Sequence, residues 1–248
     1  MSGILDHIKA LKAAGKKAFA LLVDPDKLLL EDVQNLADRI NAAGIDFVFV
    51  GGSLLLNENI AEIIPALRKA VKPSVILFPG NLLQLKHEAD GVLFLSLISG
   101  RNPDLLIGNH VIAAPLLKQS KMEVLPTGYM LIESGRATSV NYMSNTTPIP
   151  TDKSEIAACT AMAGELLGLQ LLYMDAGSGA ETPISTEMIS SVAGAVNVPL
   201  IVGGGIRSKK QAEAALKAGA DIIVVGNAFE KDLNNPLMVD IPEMIAKF

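Results

Sequence analysis

Eight short apolar runs punctuate the chain, at residues 18–23, 47–50, 74–78, 92–97, 123–125 with a continuation through 129–132, 171–174, 200–202 and 221–225. They are continuous rather than alternating, the pattern of strands covered on both faces. Between most of them lie segments of helical spacing, such as 30–43, 60–71, 155–167 and 211–218, several stopped by a glycine (Gly44, Gly168, Gly219). Residues 3–15 read as an additional amphipathic helix ahead of the first strand. Strands that alternate with helices make a parallel α/β sheet, and eight such units close into a barrel. The 248 residues suit one domain, 1–248, folded as a single (β/α)8 TIM barrel. The one long irregular stretch, 134–153, is rich in Ser, Thr, Asn and Pro and is placed to cover the barrel mouth.

A barrel of this kind carries its chemistry at the C-terminal ends of its strands. The seventh run ends in Gly203-Gly204-Gly205 and opens a helix at Ser208; the eighth ends in Gly226-Asn227. Turns without side chains let backbone N–H groups close on an anion, and a helix N-terminus adds partial positive charge. Glycines there also serve simply to make tight turns. Two in succession, after strands seven and eight, point to a phosphate site. The sixth run leads into Tyr173-Met174-Asp175-Ala176-Gly177-Ser178-Gly179. Its glycines admit a ligand against backbone, and Asp175 is placed to act as general base on a substrate hydroxyl, with Tyr173 beside it. The first run ends in Asp24-Pro25-Asp26-Lys27 and the second in Gly51-Gly52-Ser53. Asp24 with the Ser53 hydroxyl offers the partial oxygen shell that Mg²⁺ takes together with substrate phosphates; an aspartate beside proline equally well caps its own turn.

Composition narrows the class. A formal charge of −5 without a Lys/Arg cluster argues against nucleic acid. No apolar run approaches the roughly 18 residues of a spanning helix, and the N-terminus lacks the pattern of a secretory signal. A lone Cys159 cannot form an internal disulfide and fits a reducing, cytoplasmic setting. Half the residues are hydrophobic, enough for a large core and for an apolar surface shared with an oligomer partner, a greasy substrate or, transiently, a membrane. The histidines His7, His87 and His110 fall in helical or connecting segments and read as solvent-facing or structural.

Taken in order, Leu22–Lys27, Val50–Ser53, Phe78–Asn81, Pro126–Tyr129, Tyr142–Thr146 with Pro148–Pro150, Tyr173–Gly179, Val202–Ile206 and Val225–Asn227 resemble the geranylgeranylglyceryl phosphate synthases and their heptaprenyl-using bacterial relatives over essentially the whole chain. The resemblance implies a modified TIM barrel that joins sn-glycerol 1-phosphate to a long polyprenyl diphosphate, geranylgeranyl diphosphate being the expected chain, with Mg²⁺ as cofactor and a homo-oligomeric assembly. It implies that the glycerol phosphate lies on Gly203, Gly204, Gly226 and Asn227, that Tyr173 to Gly179 line the glycerol, and that Asp24 and Ser53 hold the metal. Where the family often has Glu, this chain has Asp175, one methylene shorter, which leaves open whether the acid is the base or only orients glycerol. Leu54–Leu56, Leu82–Leu83 and residues 93–98 are candidates for the prenyl trough, and core packing explains them equally well. The alternatives are another phosphate-binding barrel enzyme (an isomerase, epimerase or cyclase) or a non-catalytic barrel that binds a phosphorylated metabolite.

Overall fold

A computed structural model describes residues 3–86, 89–226, 228–229 and 235–248. Eight parallel strands close in sequence order into a barrel, β8 pairing back onto β1. They are β1 (Ala18–Val23), β2 (Phe47–Val50), β3 (Ser74–Leu77), β4 (Gly91–Leu97), β5 (Glu123–Leu131), β6 (Leu171–Asp175), β7 (Leu200–Gly203) and β8 (Ile222–Val225). Around them run α2 (Val33–Ala43), α3 (Ile60–Ala70), α4 (Asn109–Gln119), α5 (Ser139–Ser144), α6 (Ser154–Leu166), α7 (Thr186–Ala195), α8 (Lys209–Lys217) and α9 (Leu237–Ile245). Alternate residues divide the core in two. Phe47, Phe49, Ile76, Leu93 and Tyr173 fill the barrel interior, while Phe19, Leu21, Val48 and Val75 face the helices.

The N-terminal end of the barrel is closed. Helix α1 (Ile4–Ala13) lays Ile8 into the interior cluster, with Ile4, Leu5 and Leu11 packed beside it. Its first amides donate to the Glu123 carboxylate at the start of β5, Ile4 at 2.5 Å and Leu5 at 2.9 Å, a charge suited to a helix N-terminus. Lys12 Nζ reaches Asp221 Oδ2 at 2.7 Å before β8. The opposite end therefore carries the opening.

Three departures from the sequence pattern matter for the site. Strand β5 runs unbroken through Pro126-Thr127-Gly128, where apolarity alone suggested a gap. The Pro126 carbonyl accepts Gln170 N–H at 2.9 Å. By the two-residue step of a parallel ladder, the N–H that proline lacks would have faced Gly168, whose carbonyl instead accepts Gln170 Nε2 at 2.9 Å. Between β3 and β4 the connection is not an α-helix but a short 3-10 segment, Leu82–Lys86, so this side of the barrel is thinly covered. The stretch 134–153 contains α5, and its far end returns through an Ile132–Ile149 bridge.

Candidate active site

One cavity of about 1200 Å³ opens at the C-terminal ends of the strands and joins three zones of different chemistry. The first lies after β6. Asp175 closes that strand, 8% exposed, and both its oxygens are engaged: Oδ2 accepts the Tyr129 hydroxyl at 2.5 Å and Oδ1 accepts Gly177 N–H at 2.7 Å. Burial raises the carboxyl above the ordinary aspartate range, and the two hydrogen bonds pull it partly back. The buried phenols of Tyr129 and Tyr173 are held well above their usual value, first by burial and then by the Asp175 charge. Tyr173 stacks on Phe78 with ring centres 5.2 Å apart and meets Tyr129 edge-on at 5.5 Å, forming the cavity floor.

Around this acid the loops close tightly. Gly204 has φ +82°, and a Cβ there would fall 2.7 Å from Asp175 Oδ1 and from Ala176 N. Only glycine fits both the conformation and the space. Arg136, from the loop after β5, donates to the Gly179 carbonyl at 2.6 Å, and Arg207, from the loop after β7, donates to that of Ala180 at 2.5 Å. The β6 turn is thus held from both sides. Asp175, Gly177, Ser178, Gly179, Gly204 and Gly226 line the cavity together with Tyr173. Met174 and Ala176 instead belong to the layer between barrel and helices. Gly203 backs the Tyr173 ring, where a Cβ would come 2.5 Å from the hydroxyl. Gly205, adjacent to the predicted pair, also lines the opening. Asn227 and His87 lie outside the described residues.

The second zone joins the ends of β1, β2 and β3. Asp24 caps its own turn and carries an ion pair. Its Oδ1 accepts Asp26 N–H at 3.0 Å, a turn cap, while Oδ2 pairs with Lys27 Nζ at 3.0 Å on the cavity wall. Asp26 is spent on Leu56 and Asn57 N–H, at 2.5 and 3.2 Å, which ties the first loop to the second. Gly51, at φ +154°, passes so close to Phe78 that a Cβ would sit 1.9 Å from its carbonyl oxygen. Gln84, 3% exposed, bridges the next pair of loops: its Nε2 donates to the Gly52 carbonyl at 2.9 Å and its Oε1 accepts Gly80 N–H at 3.1 Å. Ser53, next in the chain, lines the same wall. Two hard oxygen donors, a carboxylate and a hydroxyl, suit Mg²⁺ that draws its remaining ligands from water and a phosphorylated substrate. No group of three His, Cys, Asp or Glu side chains forms an all-protein metal site among the described residues.

The third zone is apolar. Leu54, Leu82, Leu85, Leu93, Phe94 and Leu105 line it where the 3-10 segment replaces a helix. Of the other trough candidates, Leu55 and Ile98 pack on the core and Leu83 is exposed. His110 on α4 bonds Ser96 at 2.9 Å and meets the Phe94 ring edge-on at 4.5 Å. Its buried Nδ1 has no hydrogen-bond partner among the described residues, and burial holds the imidazole below its ordinary range despite the Leu95 carbonyl. It is structural rather than solvent-facing, whereas His7 is exposed. Sequence reasoning assigned no role to Tyr129, Gln84, Arg136 or Lys27. Tyr129 and Lys27 stand inside recognisable motifs; Gln84 has one near partner, Gly80, but its bridge to Gly52 spans 32 residues, and Arg136 meets Gly179 from 43 residues away.

Comparison with known proteins agrees with this geometry. A model of the PcrB family matches residues 12–243. The chain is 56% identical over 225 residues to a geranylgeranylglyceryl phosphate synthase of Spirosoma linguale, covering 91% of this chain and 90% of that one. It is 41% identical over 221 residues to the synthase of the same name from Thermococcus gammatolerans, covering 89% and 87%. Among solved structures, (S)-3-O-geranylgeranylglyceryl phosphate synthase from Thermoplasma acidophilum, in complex with its substrate sn-glycerol-1-phosphate, superposes with a TM-score of 0.94 at 30% identity, covering 100% of both chains.

Proposed function

This chain belongs to the PcrB family, and from that premise we propose that its cavity joins sn-glycerol 1-phosphate to a long polyprenyl diphosphate, geranylgeranyl diphosphate first among them, forming an ether and releasing diphosphate. It is a prenyltransferase of the geranylgeranylglyceryl phosphate synthase kind. The observation that carries the assignment of parts is the union, in one cavity, of a glycine-rich end beside a buried acid, an end with the Asp24 carboxylate and the Ser53 hydroxyl, and an apolar trough.

In this reading the glycerol phosphate lies against Gly204, Gly205 and Gly226, which leaves its hydroxyl over Asp175. The carboxylate takes the hydroxyl proton as the oxygen attacks the allylic carbon. Pinning the phosphate supplies the orientation that the attack needs. Asp24 and Ser53 would hold Mg²⁺, which when bound neutralises charge on the leaving diphosphate. The prenyl tail runs along Leu54, Leu82 and Phe94. From the cavity floor, Phe78, Tyr129 and Tyr173 present aromatic faces to the reacting carbon, a favourable surface for developing positive charge.

A homo-oligomer in the reducing cytoplasm, touching membranes only to collect its lipid substrate, completes the proposal. Exposed Leu166, Leu167, Val111 and Ile112 and the exposed free Cys159 support it; no helix of the described residues is long and apolar enough to cross a membrane. The test is product analysis with Mg²⁺, glycerol 1-phosphate and prenyl diphosphates of increasing length. A prenyl ether whose yield peaks at one chain length is expected. Binding of glycerol phosphate without ether from any chain would return the function to the other phosphate-binding barrel enzymes.

A further inference from the structure

We propose that Lys27 is a place-holder that becomes a ligand: its ammonium neutralises Asp24 in the free enzyme and moves onto the substrate diphosphate when a divalent cation takes that carboxylate. The proposal rests on the prenyl diphosphate reading above.

The turn after β1 is closed by Lys27 N–H donating to the Asp24 carbonyl at 3.1 Å, so carboxylate and ammonium ride on one small rigid unit. Nζ sits 3.0 Å from Asp24 Oδ2, with the lysine side chain 47% exposed and that of Asp24 19%. The neighbouring carboxylate is no alternative anchor, because Asp26 is committed to the amides of Leu56 and Asn57. A cation that binds Oδ2 meets the Lys27 ammonium 3.0 Å from the same oxygen, and repulsion between the two positive charges drives the ammonium away. The stem of Lys27 is long, flexible and already on the cavity wall, so the ammonium can move without the turn moving.

Charge balance says where it goes. A diphosphate held by one divalent cation that is itself bound to a carboxylate keeps surplus negative charge, and that charge grows as the C–O bond breaks. The arginines lining the cavity, Arg136 and Arg207, are at the β6 turn, donating to the carbonyls of Gly179 and Ala180. Among the described lining residues, the cationic side chain on the Asp24 side is Lys27. A compact ammonium with rotatable donors is suited to a phosphate as a point charge.

The experiment is calorimetric titration of the full chain and its Lys27→Met and Lys27→Arg variants with three probes: Mg²⁺ alone, inorganic diphosphate in saturating Mg²⁺, and glycerol 1-phosphate. The two roles predict opposite shifts. Lys27→Met binds Mg²⁺ alone more tightly because the competitor for Asp24 is gone, and binds Mg²⁺-diphosphate roughly tenfold more weakly, the effect of one charge-assisted hydrogen bond. Lys27→Arg keeps diphosphate affinity within a few-fold, and glycerol 1-phosphate binds all three proteins alike, which certifies the fold. Unchanged diphosphate affinity in Lys27→Met, or unchanged Mg²⁺ affinity, overturns the proposal alone. A wild-type protein that binds glycerol 1-phosphate but never diphosphate overturns the substrate reading, and the proposal falls with it.

Discussion

Asp175 must be ionised to accept a proton, yet it is buried and its carboxyl is raised above the usual range. Tyr129 works against the burial, since its hydroxyl donates to the carboxylate at 2.5 Å and favours the charged form. The sign follows directly. The acid limb of kcat/KM for glycerol 1-phosphate lies above the ordinary aspartate range, and activity falls as pH drops through it. Tyr129→Phe removes a stabilising donor, so that limb moves to higher pH while the plateau rate changes less; pH profiles of the two proteins check this. Asp175→Asn lowers kcat by about 10²- to 10⁴-fold, the range for loss of a positioned general base, with glycerol 1-phosphate still bound in an equilibrium assay. Retention of full activity would leave Asp175 only an orienting role. The sequence shows why this acid is interesting, since it ends a buried strand before a glycine turn. It does not show Tyr129 as the partner, because the pair is 46 residues apart and meets only when β5 and β6 lie side by side.

At the scale of elements, the strands were legible because burial on both faces leaves an unmistakable run of apolar residues. β5 is the exception: Pro126 and Gly128 break the pattern, the unbroken ladder to β4 carries the strand through, and Gln170 Nε2 satisfies the Gly168 carbonyl that proline leaves without a partner. In the sequence the 3-10 connection Leu82–Lys86 shows two trough leucines, Leu82 and Leu83, and nothing that marks Gln84 after them. That buried carboxamide ties the β2 loop to the β3 loop and so fixes the ground under Ser53. Gln84→Ala leaves the Gly52 carbonyl and the Gly80 amide without this partner and is expected to cost about 1–3 kcal/mol of stability. The same variant should raise KM for the prenyl diphosphate more than for glycerol 1-phosphate. Thermal unfolding and separate KM values measure the two effects; equal changes in both KM values would mean that the staple serves the whole barrel rather than the cation end.

The whole molecule is polar in its logic: α1 seals one end with Ile8 inside and Glu123 at its N-terminus, and all three zones of the cavity open at the other. Exposed leucines and isoleucines spread over α4 and α6, a surface that predicts self-association. Light scattering should give a particle of at least twice the 26.1 kDa chain mass, and a monomer at all concentrations would contradict it. The most direct measurement of the central claim is initial rates with geranylgeranyl diphosphate and Mg²⁺, run side by side with sn-glycerol 1-phosphate and its 3-phosphate enantiomer. A phosphate pinned on Gly204, Gly205 and Gly226 with one hydroxyl over Asp175 predicts prenyl ether from the 1-phosphate and little or none from the 3-phosphate. Equal rates with both, or ether from neither, would contradict it.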